Sequence, residues 1–520
     1  MIIVYHRNGK AIEVINLRSK EGIACSGGNV LQQLFDLAKD HPESYLLWCD
    51  ERLREDVNIG ELQNIFEHKN ILVSFAPGTS YLPEAIGYVD QSNFINIAKG
   101  VSYPTWRMTS AVGGTHASIL AFWKGRHDEV NFDYFLNSMA KLSMPFGLRC
   151  YSEPRLLLKG RISDTPRASM SIVFKFVKQH YKTRWTALLL LCLLVYEKRF
   201  PVLAFIACQF YKKKSISTDT VFADNAVKEA LPRDFTIDVV IPTIGRKKYL
   251  FATLSDLKAQ TLLPDRIIIV EQNPLPGSTS ELDFIETGTW PFEVVHIFTH
   301  QPGACNARNV ALDNVKSDWV FLADDDIRLD HQFLQQTFNT IYSVGSDVFN
   351  ICCITKNETR QDHHIHQTTL FGSGCSIISR KSLGNTRFSM AFEFGFGEDF
   401  DFGAQLANCG FDTHYLPEPI ILHMKAPSGG FRTKIKLAWS DDEIKPKPSP
   451  TVLLSKMLHF SQEQLNGYKT TLFFKNYKNR ESNNPFKYLA TFKARWDRSV
   501  FWAAQLQQGN ADVKPKVANR

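Results

Sequence analysis

Four apolar runs succeed one another between residues 237 and 323: "IDVVI" (237–241), "RIIIV" (266–270), "EVVHIF" (293–298) and "WVFLA" (319–323). Leu250, Leu254 and Leu257 lay a helical stripe between the first two, and "CNARNVALDNV" supplies a second helix before the fourth. A chain that alternates in this way folds as a mostly parallel α/β sheet with flanking helices, and its ligand site lies at the carboxyl ends of the strands. Asp324, Asp325 and Asp326 stand at such an end. A buried strand that closes on three adjacent carboxylates needs a partner for their charge.

Two carboxylates two positions apart, on the turn leaving a strand, can both face one hard cation. Asp324 and Asp326 have that spacing. Mg2+ and Mn2+ take oxygen ligands in octahedral geometry and complete their shell with water and phosphate oxygens, so the expected guest is a metal-bound diphosphate. Taken alone, a D-x-D pair is equally a solvated acidic turn.

The neighbouring motifs weigh against the solvated turn. "VVIPTIGR" (239–246), "IIIVEQN" (267–273), "PGACNARNVAL" (302–312), "FLADDDI" (321–327), "GSGCSIISR" (372–380) and "FGEDFDFG" (396–403) follow in this order. Over about residues 236–425 the sequence resembles a family 2 glycosyltransferase of the GT-A type, a Rossmann-like fold. The resemblance implies a nucleoside pocket lined by Pro242, Thr243 and Arg246, with Glu271, usually Asp in the family, accepting hydrogen bonds from base or ribose. It implies that Gly303 lets backbone approach the ligand and that Arg308 serves the nucleotide or the acidic cluster. Asp324 and Asp325 would face the donor, Asp324 and Asp326 would hold Mn2+ or Mg2+, and His423 would complete the metal shell or remain a packed core histidine. Asp399, preceded by Glu398, is the candidate general base; the pair is alternatively a set of helix-start acids whose ionised form the backbone dipole favours. Lys425 and Arg432, in or beside "KAPSGGFR", would close over the diphosphate. The implied reaction inverts the anomeric carbon in a single displacement.

Landmarks of this region recur in the first 160 residues. "SYLLWCDERL" (44–53) echoes "DWVFLADDDIRL", "GGTHASIL" (113–120) echoes "GSGCSII", and "FDYFLNSMAKL…CYSEPRLLL" echoes "FDFGAQLANCGFDTHYLPEPIIL". The first copy offers only Asp50 and Glu51 against three aspartates, and Phe132-Asp133 lacks the preceding Glu-Asp pair. Residues 1–160 are thus expected to be a degenerate GT-A-like domain. Residues 161–232 form a helical or linker region, 233–440 the glycosyltransferase domain and 441–520 a basic helical tail. Two amphipathic helices are expected in the tail, one carrying Leu453, Leu454, Met457, Leu458 and Leu465, the other Tyr488, Phe492, Trp496, Val500 and Phe501.

Charge and cysteine usage narrow the alternatives. Of the net +7, residues from 444 onward carry +10, so the basicity belongs to the tail. A solvated helix face and docking on anionic lipid both accommodate it; nucleic acid is not expected, since no reader motif accompanies it. Ten scattered cysteines without C-x-x-C spacing argue against a zinc ribbon or a disulfide framework. No secretory signal is evident in "MIIVYHRNGKAIEVIN", which suggests a cytoplasmic protein, peripheral at most on the inner membrane face. The apolar segment 187–210 is interrupted by Glu197, Lys198 and Arg199, and reads either as an interfacial element or as a buried helix pair. The expected partners are a nucleoside-diphosphate sugar and a glycan or lipid-linked acceptor. The competing functions are a bifunctional transferase with two active domains, a sugar nucleotidyltransferase and a non-catalytic membrane-associated assembly module.

Overall fold

The computed structural model describes residues 1–126, 130–159, 166–217, 219, 220, 222, 235–427, 436–480 and 483–509. The chain divides into two compact units, residues 1–226 with 460–474 and residues 227–459 with 475–520.

In the first unit, β1 (Ile2–Arg7), β2 (Lys10–Asn16), β3 (Gly22–Ile23), β4 (Tyr45–Asp50), β5 (Ile71–Phe75), β6 (Tyr103–Pro104), β7 (Val112–His116) and β8 (Arg149–Ser152) form one sheet, in the order β3-β2-β1-β4-β7-β5-β8-β6. Side chains alternate along the strands. Ile2, Val4, Leu46 and Trp48 enter a core on one face, while Ile3, Tyr5, Leu47 and Cys49 enter a second core on the other. The helices Met170–His180, Arg184–Cys192 and Val202–Cys208 supply Phe174, Phe176, Leu189 and Cys208 to the Trp48 core. Among the described residues, no helix is long and apolar enough to cross a membrane.

In the second unit, β9 (Ile237–Thr243), β10 (Arg266–Gln272), β11 (Glu293–Thr299), β12 (Trp319–Ala323), β13 (Ile327–Arg328), β14 (Val348–Ile354), β16 (Cys375–Ser379) and β17 (Thr413–His423) run in the order β11-β10-β9-β12-β16-β14-β17-β13, with β15 (His366–Thr368) paired to β17. The four strands seen as apolar runs are mutually parallel, and β16 enters antiparallel beside β12, so the sheet as a whole is mixed. Leu250, Leu254 and Leu257 of the helix Lys247–Lys258 are fully buried in the same core as Val239, Ile269 and Phe321, as their spacing predicts.

The two sheets share a plan. The path β1-β4-β7-β5-β8-β6 repeats as β9-β12-β16-β14-β17-β13, and successive pairings keep the same sense: parallel, antiparallel, antiparallel, parallel, antiparallel. On the other side of β1 and β9 they part. After β1 the chain reverses through Asn8 and Gly9, both at positive φ, into antiparallel β2. After β9 it continues through a helix into parallel β10.

Among the described residues, the C-terminal region holds three helices, Pro450–His459, Gln462–Tyr477 and Pro485–Gln507, where two were expected. Leu453 and Leu465 do not share a helix because a new one starts after Ser461. The Ser461 amide donates to Gln464 Oε1 at 3.0 Å while the Gln464 amide donates to Ser461 Oγ at 3.3 Å, a reciprocal capping box.

Candidate active site

The acidic triplet leaves β12 and re-enters the sheet as β13. Thr253 Oγ1 fixes that turn by donating to the carbonyls of Asp325 and Ile327, at 2.9 and 3.0 Å. Each aspartate then meets a different environment. Asp325, 2% exposed, accepts from Thr243 Oγ1 and Arg246 Nη1, both at 2.7 Å. Burial pushes its carboxyl up to about 6, against the pull of Arg246 and Thr243. Asp326 is equally buried, but there the opposing groups win. His423, the Ala426 amide at 2.7 Å and Arg246 bring its pKa down to about 2. Asp324 keeps one side open to solvent and accepts from Arg308 Nη2 at 2.9 Å. The triplet is therefore not uncompensated: Arg246 and Arg308 neutralise part of it.

Oxygens of Asp324 and Asp326 and a ring nitrogen of His423 lie within 4.8 Å of one another. Two hard oxygen donors and one imidazole suit Mn2+ or Mg2+, with positions left for water and phosphate oxygens. His423 Nε2 stands 3.3 Å from Asp326 Oδ1, and that bond raises the imidazole's pKa; an ion held there would take the neutral imidazole. The backbone around Asp324 is tailored to it: a Cβ at Gly374 would overlap its carboxylate.

Asp399 lies in the first turn of the helix Glu398–Asn408 and accepts from the Ser373 amide at 3.1 Å. Arg308 links this group to the triplet, since its Nε donates to the Ser373 carbonyl while its Nη2 holds Asp324. The helix dipole was expected to favour the ionised carboxylates. Burial outweighs it: the Asp399 pKa is raised despite Arg308 and Ser373, and Glu398 is pushed up to about 7 by burial and by Asp399. A buried carboxylate with a raised pKa, beside a cluster that could hold a cation, is suited to accept a proton.

Other expected residues are placed differently. Thr243 and Arg246 bind Asp325, and Pro242 sits one residue earlier in β9, opposite Val270. Both carboxylate oxygens of Glu271 already have protein partners: Ser280 Oγ at 2.5 Å, the Glu281 amide at 2.9 Å and His296 Nε2 at 2.9 Å. Gly303, at φ +143°, does allow a close approach, but the group that approaches is Glu393. That buried carboxylate accepts from the Cys305 and Asn306 amides at the start of the helix Ala304–Leu312 and occupies the anion-binding end of the helix. No pattern in the sequence marks Glu393, which lies 87 residues from Asn306. Lys425, at positive φ, lies 3.8 Å from Glu358. Arg432 lies outside the described residues.

Residues 238–400 match the family model described as Glycosyl transferase family 2. Among solved structures, the chain is similar to S. aureus TarS 1-349, with TM-score 0.36 and 15% identity over 54% of this chain and 88% of that one. The same S. aureus protein in complex with UDP gives 0.35 and 15% over 54% and 88%, and in complex with UDP-GlcNAc 0.36 and 15% over 54% and 89%. No curated protein matches the sequence.

Proposed function

We propose, from the match of residues 238–400 to the family 2 glycosyl transferase model, that the chain moves a sugar from a nucleoside-diphosphate sugar to a hydroxyl of a glycan or glycolipid acceptor, with inversion and with a divalent metal. The observation that carries this reading is the convergence of Asp324, Asp326 and His423 beside Asp399, tied together through Arg308. When bound, the ion acts as a Lewis acid on the diphosphate leaving group.

The chain's own residues do the rest. Asp324, Asp326 and His423 hold the ion's site, and Arg308 keeps Asp324 in place. Arg246 and Thr243 keep Asp325 against the nucleotide side of the sheet. Asp399 accepts the acceptor's proton as the new glycosidic bond forms, and the bond between the anomeric carbon and the diphosphate oxygen breaks with its electron pair passing to the leaving group. Peripheral contact with an anionic membrane would bring a lipid-linked acceptor within reach.

Purified chain incubated with manganese and a panel of nucleotide sugars should release nucleoside diphosphate from one of them. Release of pyrophosphate instead would establish a nucleotidyltransferase and overturn the reading.

A further inference from the structure

The segment 195–211 of the first unit carries a dense exposed apolar surface. Phe200 is 70%, Leu203 84% and Phe210 85% exposed, and Ile206 is exposed beside them. The cause lies in the helix Val202–Cys208: Ala204 and Cys208, four residues apart, are its buried positions, so Leu203 and Ile206 are left on the outward side. A surface helix ordinarily puts polar residues there. Contiguous exposed apolar side chains of this size mark an interaction surface.

The rim tells which partner it fits. Lys198, Arg199, Lys212 and Lys213 flank these side chains in sequence and are all exposed. Between residues 182 and 214 the one carboxylate is Glu197, and Arg199 pairs with it at 3.1 Å. A second copy docking face to face would set like charges against each other. An anionic phospholipid leaflet has no such conflict, because its acyl region takes Leu203 and Phe210 while its phosphates take the cations.

We propose that this face docks the protein on an anionic bilayer. The proposal rests on the peripheral-contact reading above and gives that contact a location in the first unit, within residues 195–211.

Full-length protein sedimented with phosphatidylglycerol/phosphatidylcholine vesicles should bind, and should not bind phosphatidylcholine alone. Leu203→Ser with Phe210→Ser should lower the partition by about tenfold or more, while donor turnover without vesicles stays at the wild-type rate and reports an intact fold. Lys487→Glu with Lys493→Glu, on exposed C-terminal positions, should change it far less. Failure of the wild-type protein to bind would overturn the peripheral-contact reading together with this one. Full binding by the Leu203/Phe210 variant, with loss in the Lys487/Lys493 variant, would overturn this location and leave peripheral contact standing. A dimer in ultracentrifugation that the Leu203/Phe210 variant abolishes, with vesicle binding unchanged, would assign the face to a second copy and overturn the proposal.

Discussion

The two units set the same strand plan to different uses, and strand register shows where they part. Cys49 pairs with Val112 as Ala323 pairs with Cys375, so Asp50 takes the place of Asp324 and Arg52 the place of Asp326. Arg52 donates to Asp50 from Nε at 2.8 Å and from Nη2 at 2.9 Å, in a two-pronged pair. Where the second unit can gather two carboxylates and an imidazole around an ion, the first has a guanidinium of its own. Asp133 accepts from the Ser110 amide at 2.7 Å and Oγ at 2.8 Å, as Asp399 accepts from the Ser373 amide. The β1–β2 hairpin also replaces the strand–helix–strand segment that would shape a nucleoside pocket. Keeping a scaffold is thus separable from keeping the acidic cluster: the strand plan persists where Glu51 and Arg52 stand in place of Asp325 and Asp326 and a hairpin stands in place of the strand–helix–strand segment.

Substitutions at matched positions can break this contrast. The largest effect is expected at Asp326→Asn, which should cut donor turnover by about 10³-fold or more with the circular dichroism spectrum unchanged. Arg52→Ala should leave turnover intact and cost about 1–3 kcal/mol in urea unfolding, because it strips buried Asp50 of its partner. A loss of turnover in Arg52→Ala would show that the first unit takes part in catalysis.

Asp399→Asn should slow transfer by about 10²–10⁴-fold with donor affinity retained in calorimetry, whereas Asp133→Asn should act on stability alone. Loss of donor binding in Asp399→Asn would make Asp399 a scaffold residue like its counterpart.

Manganese should raise the melting temperature of the wild-type protein and leave that of Asp326→Asn unmoved. A shift retained in Asp326→Asn would place the ion elsewhere.

The smallest effect is a pH dependence. Glu398, raised to about 7, binds more protons folded than unfolded, so the stability it contributes is present at acid pH and lost as pH rises through about 7. Glu398→Gln should therefore be more stable than wild type at about pH 8, by up to ~3 kcal/mol, and the gap should close below the ordinary glutamate range. The transfer rate should run the opposite way in the wild type, falling on acidification as the raised Asp399 takes up its proton.

What the sequence disclosed follows from the range of each signal. The strands at 237, 266, 293 and 319 and the stripe Leu250–Leu254–Leu257 are legible because their periodicity is local. The echo between the halves was legible in the shared strand plan, but its third landmark was set two residues off: the bonds from Ser110 and Ser373 pair Asp133 with Asp399, not with Asp401. Partners in space were not. Nothing near Arg246 in the chain reveals that its guanidinium meets Asp325, 79 residues on, and nothing near Glu271 announces His296. Glu393 at the helix start was hidden for the same reason. The helix break at Ser461 was a different failure, because its S-x-x-Q cap was present in the sequence and was overridden by an apolar spacing that ran across it.

The units are interleaved along the polypeptide: residues 460–474 go with the first and 475–520 with the second. Within the first unit Gln464 is fully buried, and its amide nitrogen Nε2 donates to the Asp90 and Ser92 carbonyls at 3.1 and 3.0 Å. Trimming the gene after codon 440 would consequently amputate both halves at once, and an insoluble product would not reveal which half had failed. A fair dissection must carry 460–474 over with the amino-terminal piece, by a linker or by co-expression.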